Sequence, residues 1–272
     1  MTHRLAVSGS TILSDINQLD NLLWDGISNI EIGEFADEEA FQKFLRFKKE
    51  NKLTFGIHSP IIRGTSKYDF IQKVHYDPAV AWQQVDAEAN RLSKIGAEYL
   101  LIHFPFFQDK IEGNPHTCIE EGLQRLKCIR EKYNMEIVCE PKLGVNRSSA
   151  GIHYLHDFPV DLWAAYNLKL CVDIGDYLMA TSDKILDYLA KWKDYIKVVH
   201  LHHIDYIGDE YTWVPVHPSG ETMGHETIQP IIQYLAALDN ITFVFEHTPQ
   251  LVPSEAYVKE GYIWMRQLIY GE

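Results

Sequence analysis

Residues 168–202 read LKLCVDIGDYLMATSDKILDYLAKWKDYIKVVHLH, and this stretch decides the fold. It opens with a short apolar run, Leu168–Asp173, that closes on a carboxylate. A helical pattern follows, in which Ser182 precedes Ile185, Leu189 and Trp192 on one face. A second apolar run, Ile196–His202, then closes on imidazoles. Near-continuous apolar runs of this length suit parallel strands covered on both faces better than half-exposed hairpins. Strand, helix and strand in this order predict a right-handed parallel crossover.

The same unit recurs on either side. Leu5–Ser8, Asn29–Ile32, Leu53–His58, Tyr99–His103, Glu136–Glu140 and Ile241–Glu246 are the other apolar runs. Helical patterns separate them. Asp15–Gly26 carries Ile16, Leu19, Leu22 and Leu23, and Asp37 starts a segment with Phe41, Phe44 and Leu45 on one face. Asp77 and Pro78 form a cap and first helical position for a segment ending at Gly96. Thr117 and Glu120 form a capping box. The weaker stretch Asp157–Tyr166 and the amphipathic segments Ile228–Leu238 and Ser254–Tyr270 complete the set. Eight alternations in 272 residues predict one (β/α)8 TIM barrel domain over residues 1–272. The longest irregular stretch is Asp205–His225, and a loop of that length is usually functional or disordered.

Composition narrows the function classes. Hydrophobic residues are 46% of the chain and the formal net charge is −13. An acidic chain is a poor non-specific partner for nucleic acid or an anionic membrane. Cys118, Cys128, Cys139 and Cys171 form no CxxC pair and read as packing residues. No apolar stretch approaches the ~18 residues of a membrane span, and the first residues lack the apolar run of a signal peptide. A cytoplasmic protein with reduced thiols is expected.

The ends of the runs carry the chemistry. In order they are Ser8, Glu31, His58, His103, Glu140, Asp173, His200 and Glu246. In a barrel all these ends converge on the C-terminal mouth, where such folds hold their active sites. A single histidine or carboxylate after a strand is ordinarily a core group or a helix cap. Seven ionisable ends together need charge compensation, which a divalent cation supplies. Carboxylate and imidazole ligands suit zinc, manganese, cobalt or iron better than calcium.

At these residues the chain resembles the xylose isomerase-like barrel superfamily, which includes endonuclease IV, sugar isomerases and epimerases, and some dehydratases. The segments that carry the resemblance are GIHSP (56–60), LLIHFP (100–105), VCEPK (138–142), LCVDIGD (170–176), VVHLHHID (198–205) and FVFEHTP (243–249). The resemblance implies a metal held by Glu140, Asp173, His200 and Glu246. It also implies that His58 and His103, sharing Glu140, match the ligands of a second zinc in endonuclease IV. Here the chain departs from the nuclease pattern. Asp176 stands where its third zinc has a histidine, and Pro215 stands where an aspartate is expected before His217. Asp205, Asp209 and His225 are further loop candidates. A third metal is therefore not expected, whereas one metal is expected and a second is compatible with the imidazoles.

Other residues at the mouth are candidates to meet the substrate. His202 shares the barrel-facing side with His200 and is a candidate substrate contact, while Glu31 is a candidate partner of a ligand. Arg63, Lys142 and Arg147 are candidates to clasp a substrate phosphate or carboxylate. The leading reading is a sugar or sugar-phosphate isomerase or epimerase, in which Glu140 and Glu246 remove and return a proton beside a carbonyl. A dehydratase starts with the same abstraction. The alternatives are a zinc phosphodiesterase of the endonuclease IV kind and a non-catalytic metal- or sugar-binding barrel. The expected partner is a small carbohydrate-like molecule, with nucleic acid disfavoured and the oligomeric state open.

Overall fold

A computed structural model describes residues 3–109, 111, 113–208, 210–222 and 227–271. Its parallel strands close into a barrel. They are β1 (Arg4–Ser8), β2 (Asn29–Ile32), β3 (Thr54–His58), β4 (Leu100–His103), β5 (Ile137–Glu140), β6 (Lys169–Asp173), β7 (Ile196–Leu201) and β10 (Thr242–Phe245). Two further strands, β8 (His203–Ile207) and β9 (Glu210–Val214), form an antiparallel hairpin. The helices are α1 (Glu38–Glu50), α2 (Pro78–Ile95), α3 (Pro115–Tyr133), α4 (Ala150–Asp157), α5 (Val160–Ala164), α6 (Ile174–Thr181), α7 (Ile185–Trp192), α8 (Gln229–Ala236) and α9 (Glu255–Tyr270). None of the described helices is long and apolar enough to cross a membrane.

Alternation along the strands positions the site. Ala6, Leu101, Val138, Cys171, Val198 and Val244 pack with Tyr99 in one buried cluster. Two residues further along the same strands stand Ser8, His103, Glu140, Asp173, His200 and Glu246. Because strand side chains repeat every second residue, a polar layer lies directly above the apolar one. Gly56 is required where the Tyr99 ring crosses the barrel, since a Cβ there would lie 2.2 Å from a ring carbon.

Local signals start and stop the helices largely as expected. The Asp37 carboxylate accepts from Ala40 N, Asp77 accepts from Ala79 N, and Ser254 Oγ accepts from Tyr257 N. Gly96 closes α2 with φ 74°. Three expectations differ. Asp15–Gly26 forms no α-helix, only a short 3₁₀ turn at Leu19–Leu22. Asp15 instead accepts from Asn17 N, Asn17 Nδ2 and Gln18 Nε2, local bonds that compete with a helix. Asn114, rather than Thr117, caps α3. The stretch expected to be irregular contains the β8–β9 hairpin, whose Tyr206, Tyr211, Thr212 and Trp213 are strand formers. Asp209 and His225 lie outside the described residues.

Candidate active site

The polar layer is a buried network with more carboxylates than cations. Glu31, Glu140, Asp173, Asp176 and Glu246 are all buried. The Lys142 ammonium lies 3.0 Å from Glu140 Oε1, 2.9 Å from Asp173 Oδ2 and 2.5 Å from Asp176 Oδ2. Lys142 is thus an internal counter-charge, not the arm expected to clasp a substrate anion. Asp173 also caps α6, accepting from Asp176 N. Burial and the neighbouring Asp173 charge push the Asp176 carboxyl up to about 7, against the pull of Lys142.

His200 is held on both sides. Its Nε2 lies 2.8 Å from Glu31 Oε1, and Tyr99 donates to the other Glu31 oxygen at 2.7 Å. That partner leaves Nδ1 to face Glu246 Oε2 at 2.9 Å and Glu140 Oε1 at 3.4 Å. Burial alone would lower the His200 pKa, but Cys171, Glu246, Glu31 and Glu140 raise it well above the usual imidazole range. Burial alone would raise Glu140, yet Lys142, His103 and His200 hold it well below the usual carboxylate range.

A second group of atoms converges beside the first. His58 Nε2 and His103 Nε2 are 3.1 Å apart, and Glu140 Oε2 lies 3.3 Å from one and 3.2 Å from the other. Further round, His202 Nε2 is 2.9 Å from Asp173 Oδ1. The ligand-type atoms of Asp173, His202 and Glu246 fall within 4.8 Å of one another. The residues Glu140, Asp173, His200 and Glu246 are therefore linked through overlapping groups, with Lys142 between Glu140 and Asp173.

These groups fit a divalent cation. Glu140 Oε2 and His200 Nδ1 are buried and make no well-directed hydrogen bond among the described residues. A tetrahedral ion with bonds of roughly 2.0–2.1 Å sets its ligand atoms about 3.3 Å apart. The His58–His103–Glu140 triangle has edges of that size. Five buried carboxylates, three of them on the Lys142 ammonium and two on His200, also gather negative charge that a cation would offset.

The remaining candidates are placed elsewhere or otherwise engaged. His217 does not join the cluster. Its Nδ1 is 2.7 Å from Ser219 Oγ, its Nε2 is 3.0 Å from Glu260 Oε2 on α9, and its ring stacks on Tyr257. Arg63 lines the cavity at the mouth but donates to Leu13 O at 2.9 Å. The Arg147 guanidinium lies over the Tyr206 and Tyr211 rings of the hairpin. Sequence reasoning missed Cys171, whose sulfur lies within 4.8 Å of ligand atoms of Glu140 and His200. Its signal was its place two residues before Asp173, on the inward-facing side of β6. It also missed Tyr68, whose ring centroid is 4.8 Å from that of His103.

No family model matches the sequence, and no curated protein sequence does. Solved structures do match the fold over the whole chain. A 3-keto-D-glucoside 4-epimerase from E. coli aligns with 12% identity and a TM-score of 0.63, covering 98% of this chain and 100% of its own. A D-tagatose 3-epimerase-like protein aligns with 14% identity and a TM-score of 0.67, covering 98% of each chain. A Thermus thermophilus protein soaked with zinc chloride aligns with 14% identity and a TM-score of 0.62, covering 100% of this chain and 99% of its own. The fold is that of the xylose isomerase-like TIM barrels.

Proposed function

We propose that this chain is a divalent-metal-dependent sugar isomerase or epimerase. One observation carries the reading: Glu140 and Glu246 reach the same buried imidazole, His200 Nδ1, from strands β5 and β10, and both line one cavity. Glu140, His200 and Glu246 would hold a metal, with Asp173 completing the set, and His58 and His103 would hold a second ion or substrate hydroxyls. The ion, when bound, supplies Lewis-acid polarisation of a carbonyl and its adjacent hydroxyl. The two glutamates act on the proton of the carbon beside that carbonyl. One removes it and the other returns it, so the configuration at that carbon inverts. The Glu31–Tyr99 pair holds His200 in orientation during this transfer. Fold neighbours named as sugar epimerases support the carbohydrate class.

The test is isotopic. Metal-loaded protein incubated with a panel of sugars in deuterated water is expected to place deuterium on the carbon next to the carbonyl. Glu140→Gln and Glu246→Gln should each abolish that incorporation. The imidazole pair His58 and His103 favours a second reading, a metal-dependent phosphodiesterase. Metal-dependent incision of an abasic-site oligonucleotide, lost in His58→Ala, would replace the first reading by that one.

A further inference from the structure

We infer that Arg63 is a specificity-determining residue that receives the carboxylate of a monoanionic, sugar-acid-like substrate. The inference rests on the isomerase or epimerase reading for the reacting end of that substrate, and on other residues for its anionic end. The cavity at the mouth has a volume of about 180 Å³. That is below the roughly 300–1,000 Å³ of pockets for drug-sized ligands, so the occupant is a single small molecule. Besides the metal-type ligands, the lining includes Leu13, Ser14, Glu34, Arg63 and Lys67, from the loops after β1, β2 and β3.

The ammonium and guanidinium groups of this lining differ in what neutralises them. Lys142 contacts three carboxylates, and Lys67 is paired with Glu34. Arg63 contacts no carboxylate among the described residues, and its Nη2 donates to the neutral Leu13 O at 2.9 Å. That bond uses one of the five guanidinium N–H groups and leaves the charge in place. Glu34 feels both cations. Burial alone would raise its pKa, yet Lys67, with smaller pulls from His58 and Arg63, holds it below the usual carboxylate range. The Arg63 guanidinium therefore sits beside Leu13 O and near the Glu34 carboxylate, both on residues of the same lining. Two cations share one carboxylate there, and a positive charge is left unmatched.

The backbone around this guanidinium is strained. Leu13, Ser14 and Glu34 have φ of 50°, 53° and 51°. That left-handed region is unfavourable for residues with a Cβ, asparagine and aspartate excepted. Hydrogen bonds fix it here. Ser14 N donates to Gly9 O at 2.8 Å, Ser14 Oγ to Gly33 O at 2.6 Å and Glu34 N to Pro60 O at 2.7 Å. Arg63 N donates to Phe35 O at 2.9 Å, which ties the loop carrying Arg63 to the loop carrying Glu34. Strain held in this way gathers at ligand clamps. Charge then selects the anion. The guanidinium fork matches a carboxylate through two parallel bonds. A phosphate ester carries about −1.5 to −2 charges at neutral pH, more than the unmatched charge offsets, and Glu34 would repel the excess.

Calorimetric titration of D-fructose, D-fructuronate and D-fructose 6-phosphate into the full chain with manganese present tests this, because the three differ at carbon 6 alone. D-fructuronate is expected to bind about tenfold more tightly than either of the others, through a charge-assisted, bidentate pair. Arg63→Gln is expected to cut its preference over D-fructose to less than about twofold. Arg63→Lys should keep part of the preference, since an ammonium supplies the charge without the fork. If Arg63→Gln does not fold, a lower affinity ratio in Arg63→Lys than in wild type carries the same test. Equal affinity for D-fructose and D-fructuronate, tighter binding of D-fructose 6-phosphate, binding of none of the three, or a preference that survives in the folded variants would overturn the inference. A carboxylate preference that depends on Arg63, with no deuterium incorporated into any sugar, keeps this inference and removes the epimerase reading. Deuterium incorporation into D-fructose, with no preference for D-fructuronate, does the reverse.

Discussion

The Nε2 atoms of His58 and His103 lie 3.1 Å apart with their rings at 88°, and both are within 3.3 Å of Glu140 Oε2. These atoms come from the ends of adjacent strands β3, β4 and β5, so barrel closure alone brings them together. Glu140 is shared between this triangle and His200. His103→Ala is expected to lower bound metal or weaken it by more than about tenfold, as losses around a metal centre commonly do. Equilibrium dialysis with elemental analysis measures it. Unchanged stoichiometry and affinity would leave the imidazoles with a substrate role only.

Glu140 and Glu246 are the carboxylates nearest His200 Nδ1. The double variant Glu140→Ala, Glu246→Ala is expected to bind no divalent metal. In the wild type, zinc or manganese at a hundredfold excess over Kd should add about 2.7 kcal/mol of stability by mass action. Chelator should remove that gain. A thermal melt with and without chelator that shows the same Tm in wild type argues against a folded-state metal site.

Lys142 offers a test of the charge balance. Its ammonium is the buried counter-ion to Glu140, Asp173 and Asp176. Removing one member of a buried ion pair typically costs about 3–5 kcal/mol, because the other charge is left uncompensated. Lys142→Met is expected to show a loss of that order in urea denaturation with chelator. Added manganese should recover part of it. A loss that is the same with and without metal would mean that the ammonium and the ion do not share these carboxylates.

Glu88 on α2 supports the loop after His58. It accepts from Ser59 Oγ at 2.6 Å and from Ile61 N at 2.9 Å. Burial raises its pKa, and the bonds from Ser59, Ile61 and Gln84 only partly oppose this. A carboxyl whose folded pKa exceeds its unfolded value stabilises fully below the unfolded value. That contribution is lost as pH rises through the folded pKa. The stability advantage of wild type over Glu88→Gln is therefore expected to shrink from about pH 4 towards neutrality. Denaturation midpoints at several pH values measure it, and a growing advantage would contradict the sign.

Sequence by itself determined the barrel and the layer that carries the chemistry. Val138 and Glu140, Cys171 and Asp173, Val198 and His200, Val244 and Glu246 are each two residues apart. That spacing is a property of strand geometry, so the direction of these side chains is a local matter. The caps at Asp37, Asp77 and Ser254 were legible for the same reason, because each acts on an amide two or three residues away. Tertiary structure alone decided which charges meet. Lys142 reads as a free mouth cation until β5 pairs with β6 and the end of β6 and start of α6 bring Asp173 and Asp176 to its ammonium. His217 reads as a loop ligand until α9 presents Glu260 to its Nε2, from 43 residues further along the chain. In each case the competing partner is distant in sequence and the energy is electrostatic or a hydrogen bond. Such terms depend on separations of a few ångströms, which only the closed barrel establishes.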